Sequence, residues 1–290
     1  MNLEGMNLMQ ENEKLKNELI DIRENEFELE DENRAYDYAR LMLKYIGDTD
    51  PELRDDLIYI TFYKWIFEKE YFNKEELKKI LEVALDDDHL FYKLGNDEDD
   101  SVFTRAFSAL VIALILAYHR KDNFIEYEFF VKIKSRVIKY FEGEKDMRTH
   151  VGEKGWADSI AHGADVLDEL VACEEIKKED CLKILDVIGQ KLINNKYFIN
   201  EDVDERITNA VFRMVDNDLV DGNNLINWFE TLHNKYESTD GMNFVKRRVI
   251  NINIKNVNRS LYFRLLHNGY ESDIVEALIG LEKRFNRFIK

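Results

Sequence analysis

Residues 101–121 read SVFTRAFSALVIALILAYHRK, and this stretch decides the fold class of the chain. From Ala106 to Tyr118 the run is apolar apart from Ser108, and charged residues follow it. It falls well short of the roughly 20 apolar residues that cross a bilayer. We therefore expect the most buried helix of a soluble core here, and no membrane association.

The flanking segments repeat the spacing of amphipathic helices. Leu53, Leu57 and Ile60 follow the i, i+3/i+4, i+7 spacing of one helical face. Asp50-Pro51 is an N-cap followed by a first helical residue, and Asn73-Lys-Glu-Glu76 is a capping box. On the same grounds we predict helices over residues 33–46, 124–141, 155–172, 178–193, 201–215, 223–236, 255–267 and 272–288.

The composition agrees with an all-α protein. One proline and 12 glycines in 290 residues are too few for the turns of an all-β or α/β fold. A hydrophobic fraction of 45% excludes a disordered chain, although 34% of residues are charged. Cys173 and Cys181 lack the spacing of a redox pair or a zinc site, which favours two inert thiols in a reducing cytoplasm.

The predicted helices recur as pairs. Pair starts fall near residues 52, 101, 153, 202 and 255, a step close to the roughly 40–47 residues of HEAT and armadillo repeats. We predict a right-handed, HEAT/armadillo-like stack of antiparallel helix pairs, an α-solenoid, because such pairs bury their apolar faces only by stacking. Residues 1–46 would form an acidic helical extension, solvated or partly ordered, and residues 47–290 one repeat domain of about five pairs.

Charge is unevenly distributed along the chain. The net charge is −18, yet residues 241–290 hold ten Lys/Arg and four Asp/Glu, a net of +6 that leaves −24 on residues 1–240. The densest basic positions are Lys246, Arg247, Arg248, Lys255, Arg259 and Arg264. They form either a surface for anions or acidic partners, or ion pairs with acidic loops of neighbouring repeats.

One segment departs from the pattern of apolar stripe and polar surface. If a helix begins near Trp156, then Asp158, His162 and Asp165 lie on one of its faces at i, i+4 and i+7. These side chains suit a weak metal site or an acid/base group. Alternatively they form a buried polar network with a neighbouring arginine, for which the two candidates are Arg105 and Arg148.

Further positions carry structural expectations. Gly47 ends a helix as a residue that tolerates positive φ, and Gly163 implies the close approach of another backbone or a ligand. Arg105 lies in an apolar helix and needs a carboxylate, expected from Asp55, Asp158 or Asp165. In the run Leu261-Tyr-Phe-Arg264 we expect a buried phenyl group between the binding candidates Tyr262 and Arg264.

Five blocks of residues together resemble a known family. They are Arg54-Asp55, Asp100-Ser-Val-Phe-Thr-Arg-Ala-Phe-Ser108, Glu144-x-Asp-x-Arg148, Gly155-Trp-Ala-x-x-x-Ala-His-Gly-Ala-Asp165 and Leu261-Tyr-Phe-Arg264. The chain is similar, from about Leu41 to near its C-terminus, to an uncharacterised bacterial family catalogued as domain of unknown function 2785. The family pattern has a histidine where this chain has Asp158, which weakens an enzymatic interpretation. The resemblance implies an all-helical repeat fold in a bacterial cytoplasm, and no activity.

These observations favour a non-enzymatic binding scaffold, with the concave face of the stack holding a protein segment or a small ligand. No P-loop, Rossmann glycine fingerprint or GxSxG motif is present, and we predict no cofactor. The first alternative is a metal-dependent or acid/base enzyme that uses Asp158, His162 and Asp165. A weaker alternative is nucleic-acid binding through the basic C-terminal patch, which the −24 on the rest of the chain opposes.

Overall fold

The computed structural model describes residues 3–270, 273–286 and 288, and its regular structure is helical throughout that part of the chain. The α-helices are α1 (Leu3–Glu24), α2 (Ala35–Lys44), α3 (Ile60–Phe67), α4 (Lys74–Ala84), α5 (Ser101–Asp122), α6 (Tyr127–Gly143), α7 (Ser159–Val171), α8 (Lys178–Leu192), α9 (Val203–Asp216), α10 (Gly222–Glu237), α11 (Phe244–His267) and α12 (Asp273–Phe285). Short 3-10 turns lie at Glu32–Arg34 and Gly152–Lys154, and a π-helical segment, Glu52–Tyr59, runs directly into α3. The predicted all-α class is confirmed.

Local start signals work as the sequence predicts. Oδ1 of Asp50 accepts hydrogen bonds from the backbone N–H groups of Glu52 and Leu53, at 3.0 and 3.4 Å. Asn73 and Glu76 form the predicted capping box at the start of α4. Both devices satisfy backbone donors that the first turn of a helix leaves free, and they depend only on neighbouring residues.

The chain divides into two compact units. The first unit contains the residues up to Arg136 together with Glu144–His162, and the second contains Val137–Gly143 together with the residues from Gly163 on. Helices α6 and α7 each contribute residues to both units. The predicted boundary between residues 46 and 47 stays a prediction.

Helix α5 is the central helix of the first unit. Its residues from Ala106 to Leu116 are all buried. By length and composition α5 is apolar enough to cross a membrane, a test that core helices also pass, and 83% of the relevant window is buried inside the protein. The prediction of a buried core helix is therefore met at α5.

The packing of α1 differs from the predicted solvated extension. Leu15, Leu19 and Ile22 of α1 are buried, and the helix packs on the π-helical segment. Lys16 adds ion pairs to Asp50 and Glu52 at 2.6 and 2.8 Å. The apolar stripe of α1 is thus part of the core of the first unit.

Gly47 has a different role from the predicted one. It does not have a positive φ. Instead, a Cβ at this position would lie 2.6 Å from the backbone N and Cα of Thr104. Glycine is required here because the chain after α2 passes against the backbone of α5.

The start that the sequence predicts for the last helix pair, in the second unit, is wrong. Position 255 lies inside α11, a 24-residue helix that begins at Phe244 after the cap Asn243. Within this unit α8 packs on α10, α9 on α11, and α10 on α12. The side-chain amide of Asn253, in the middle of α11, binds the backbone of Tyr197 and Ile199 at 3.0 and 2.8 Å.

Candidate functional site

The segment that carries the sequence motif is a loop, not the start of a helix. The helix predicted from residue 155 begins instead at Ser159, and residues 149–158 form what we call the Trp156 loop. The N–H of Val151 donates to Gly155 O at 2.8 Å, and the N–H of Ala157 donates to Thr149 O at 2.7 Å. These bonds fold the loop back on itself, so the backbone turns before it enters α7.

Arg54 of the π-helical segment holds the Trp156 loop in place. Its fully buried guanidinium donates from Nη2 to the carbonyl oxygens of Lys154 at 2.9 Å and Trp156 at 3.3 Å. The guanidinium carbon lies 4.2 and 4.8 Å from the ring centres of Phe103 and Phe107. Cation–π contacts and backbone carbonyls together compensate the burial of this charge.

Asp55 is the carboxylate partner of Arg54. Its two oxygens accept from Nε at 2.9 Å and from Nη2 at 3.2 Å. Burial raises the pKa of Asp55, and the charge and hydrogen bonds of Arg54, with a smaller electrostatic effect of His162, oppose that rise. Asp55 is thus a carboxyl group that takes up a proton more readily than an exposed aspartate does.

His162 lies in the same unit, close to this cluster. Its ring is 8% exposed and stands edge-on to Phe107, with the ring centres 5.2 Å apart. Its backbone N–H donates to Asp158 O at 2.8 Å, and Asp158 has a φ of 47°. Asp158 therefore precedes α7 in a left-handed conformation, and the predicted stripe of three residues on one helical face is wrong at its first position.

Asp165 is engaged within the second unit. Its carboxylate forms an ion pair with Arg206 of α9. One helical turn further, Asp168 accepts two hydrogen bonds from Arg213, at 2.5 and 2.8 Å. In the part of the chain that the structure describes, no group of three or more His, Cys, Asp or Glu side chains is placed to hold a metal ion.

Arg105 has a partner that the sequence did not single out. The expected partners were Asp55, Asp158 and Asp165. Instead, Glu144, which directly follows α6, accepts from Arg105 Nε at 2.6 Å and from Nη2 at 2.8 Å. Both side chains are fully buried, and Nη1 of the arginine adds bonds to the Ser101 hydroxyl and a loop carbonyl. Arg105 and Glu144 pair because folding brings the two side chains together, and not because they share a predicted helical face.

Arg148 forms a second local pair. It donates from Nε and Nη2 to the two oxygens of Asp146, at 2.8 and 2.6 Å, and to Asp99 O at 3.1 Å. The hydroxyl of Ser159 at the start of α7 bonds to the carbonyl of Asp146. Sequence reasoning missed Glu144 and Asp146 as partners, although the spacing Glu-x-Asp-x-Arg placed both acids beside Arg148.

Trp156 is the exposed feature of the cluster. Its side chain is 46% exposed, and its ring meets that of His150 edge-on at 4.9 Å between centres. Lys154, on the same loop, forms an ion pair with Asp100 at 2.6 Å. The Trp156 side chain is therefore exposed to solvent on a loop whose backbone is held by hydrogen bonds from Arg54.

The remaining predicted residues lie in the second unit. Phe263 is 66% exposed, so the expected buried phenyl group is wrong. Arg264 pairs with Glu205 at 3.0 Å, and the rings of Tyr262 and Phe263 lie 5.3 Å apart.

At Gly163 a Cβ would meet the ring of Phe141 at 2.7 Å, so an aromatic side chain, not a backbone or a ligand, approaches this glycine.

These features define an all-helical protein with buried arginine–carboxylate pairs and a fixed loop at the start of α7. A family model described as Protein of unknown function (DUF2785) matches residues 90–263, more than half of the chain, and the chain belongs to this family. The match contains Arg105, Glu144 and the Trp156 loop but not Arg54, so it is shorter than the resemblance suggested. Comparison with curated proteins and with solved structures returned no match.

Proposed function

We propose that this chain is a HEAT-like helical-repeat protein that acts as a non-enzymatic scaffold and binds a partner through Trp156. The observation that carries the proposal is a half-exposed tryptophan on a loop that buried contacts hold in one conformation. Tryptophan is enriched among the residues that dominate binding energy at interfaces. A fixed loop also loses little conformational entropy when a partner binds.

The repeat architecture is supported by the packing inside each unit. Helices contact the helix two positions along the chain: α2 on α4 and α3 on α5 in the first unit, and α8 on α10 and α9 on α11 in the second. Side-chain bonds join residues about one repeat apart, as in Lys78–Glu126, Arg213–Asp168 and Arg284–Glu230. This is the pattern expected when each helix pair buries its face against the next pair.

The binding role is supported by how three arginines of the first unit are bonded. Arg54, Arg105 and Arg148 each bind a carboxylate and at least one backbone carbonyl. Because their hydrogen-bond donors are used in these contacts, the three arginines order loops and helix ends. Trp156 is the large hydrophobic side chain of the Trp156 loop that is exposed to solvent, so partner contact is assigned to it.

The experiment compares Trp156→Ala with Phe198→Ala, a matched control because Phe198 is also 46% exposed and lies in the second unit. Each tagged variant is used in quantitative affinity capture from a lysate of the native host, and a small-molecule library is tested by thermal shift. We expect a partner bound by wild type and by the control, and bound roughly 30-fold more weakly by Trp156→Ala, as for an interface hot spot. Absence of any partner or ligand, or equal binding by all three proteins, would refute the proposal.

A second candidate function is acid/base catalysis near His162. One feature favours it: burial raises the pKa of Asp55, a carboxyl group close enough to His162 to be affected by it electrostatically. The test is a panel of chromogenic ester, phosphate and glycoside substrates. Turnover by wild type that is lost in both Asp55→Asn and His162→Asn, with the variants still folded, would support catalysis over a pure scaffold. No turnover of any substrate would remove this candidate.

A further inference from the structure

A cleft of about 330 Å³ lies among α10, α11 and α12 of the second unit, away from the Trp156 loop. Small-molecule sites in proteins begin at about this size. Among the described residues, five charged side chains line the cleft: the acid Glu237 and the cations Arg247, Arg248, Lys255 and Arg284. The lining therefore carries a clear excess of positive charge in a protein whose net charge is −18.

Two of these bases are not neutralised by neighbours. The expected pairing with acidic residues is found for Arg259 with Glu282 and for Arg264 with Glu205. Arg284, which also lines the cleft, pairs with Glu230. The side chains of Lys255 and Arg248, by contrast, form no ion pair or hydrogen bond with any described residue. They lie seven positions apart on α11, which places both on the same side of that helix.

The surroundings of Lys255 confirm that positive charges are crowded here. Burial lowers the pKa of Lys255 most, and the charges of Arg259 and Arg248 lower it further, while Glu282 opposes them. The half-buried ammonium group therefore stands among like charges. A bound anion would relieve this repulsion, since opposite charge stabilises the ionised form of a lysine.

Arg247 also has unused hydrogen-bonding capacity. Its guanidinium lies 4.6 Å above the ring of Tyr236, and its ion pairs to Asp240 and Glu237 are long, at 3.3 and 3.8 Å. Its Nε atom is buried and has no hydrogen-bond acceptor among the residues that the structure describes. A buried donor left without an acceptor is costly. The Arg247 side chain as a whole is 27% exposed and lines the cleft, so its terminal N–H groups, which make only these long ion pairs, are the contact for a ligand oxygen.

Aromatic side chains form a large part of the remaining lining, beside Asn251, Ile252 and Asn286. Tyr236 and Phe285 lie 5.5 Å apart between ring centres, and Phe244, at the start of α11, is 68% exposed at the rim. Phe244 has the exposed face that can stack on a flat ring of a ligand, whereas Phe285 is 5% exposed and one face of Tyr236 lies under Arg247. The cleft thus combines unpaired cations with a surface for a planar group.

We propose that this cleft binds a small organic phosphate that carries a flat ring, of the size of a mononucleotide. Arg247, Arg248 and Lys255 would contact the phosphate, and Tyr236, Phe244 and Phe285 would contact the ring. A phosphate monoester suits several converging cations because it holds about two negative charges and three acceptor oxygens. A long nucleic acid suits the site less, because the acidic remainder of the chain repels a polyanion.

The experiment measures binding of adenosine 5′-monophosphate by isothermal titration calorimetry, with inorganic phosphate, adenosine and a single-stranded decanucleotide as further probes. The test variant is Arg248→Gln/Lys255→Gln. The matched control is Lys183→Gln/Lys246→Gln, which removes the same charge from two exposed lysines outside the cleft. Thermal melting of both double variants establishes that each is folded.

We expect the monophosphate to bind wild type and the control alike, and to bind the test variant at least about tenfold more weakly, since contacts to a charged group are the strong ones. Inorganic phosphate should bind more weakly than the monophosphate, and adenosine should not bind. The proposal is overturned if the monophosphate does not bind wild type, if adenosine binds as well, or if both double variants behave alike. It is also overturned if only the decanucleotide binds, which would indicate nucleic-acid binding.

Discussion

The buried pair of Arg105 and Glu144 allows a quantitative test of the first unit. Replacing Glu144 by glutamine keeps the size of the side chain and an oxygen that accepts the backbone N–H groups of Lys145 and Asp146. It removes the negative charge and one of the two acceptors that bind Arg105 at 2.6 and 2.8 Å. The guanidinium, which has no solvent exposure, then remains charged and unneutralised.

Removing one partner of a buried ion pair costs about 3–5 kcal/mol of unfolding free energy. We expect the lower end of that range, about 3 kcal/mol, because the glutamine oxygen and the Ser101 hydroxyl still bind the arginine. For a unit of this size, that loss lowers the melting temperature by roughly 6–12 °C. The exposed Glu128→Gln change on α6 is the matched control, with an effect within about 0.5 kcal/mol.

The assay is urea denaturation followed by far-UV circular dichroism, for wild type, Glu144→Gln, Arg105→Met and the double variant. The double variant should be more stable than the sum of the single losses implies, because neither partner is left as an isolated buried charge. A single-variant loss below 1 kcal/mol, or strictly additive losses, would refute the assignment of a buried, mutually dependent pair.

Three further measurements follow from single contacts. Gly163→Ala should lower the free energy of unfolding by about 1–3 kcal/mol, because the added methyl group meets the ring of Phe141. Gly280→Ala, which has open space around it, should raise the free energy of unfolding by up to about 1 kcal/mol. Equal effects of the two changes in thermal melts would contradict the contact with Phe141. Burial raises the pKa of Asp55 in the folded state, so its contribution to stability should fall as pH rises above about 3.9, the value in the unfolded chain. In urea titrations between pH 4 and 7, Asp55→Asn should lack this fall. Burial raises the pKa of Cys181 to about 12, so this thiol should react with a disulfide reagent only after unfolding; rapid labelling of the native chain would be inconsistent with its burial.

Features that depend on neighbouring residues could be predicted from the sequence. The N-cap at Asp50, the capping box at Asn73 and the buried α5 helix follow from local spacing, and each is found in the structure. The family resemblance also rested on short motifs and is confirmed for residues 90–263. Helix starts were missed where a loop or a long helix replaced the expected boundary, as at Ser159 and Phe244.

The candidate site was predicted only in part. Arg105, Trp156 and His162 all belong to the first unit, whereas Asp165 binds Arg206 in the second unit. The start of α7 could not be placed from periodicity because the Trp156 loop is held by distant groups. Gly155, for example, has a φ of 75°, and a Cβ there would lie 2.9 Å from the Cβ of Pro51. Such contacts leave no periodic signal in the sequence.

The sequence by itself determined the helical class, the local caps and the family, because hydrophobic periodicity and capping are properties of consecutive residues. Only the tertiary structure decided which charges meet. Arg54 binds a carbonyl 100 residues away, and Arg105 binds a carboxylate 39 residues away. The physical reason is that a buried charge binds whichever acceptor the packing of helices brings within about 3 Å, and this packing depends on side-chain shapes along the whole core.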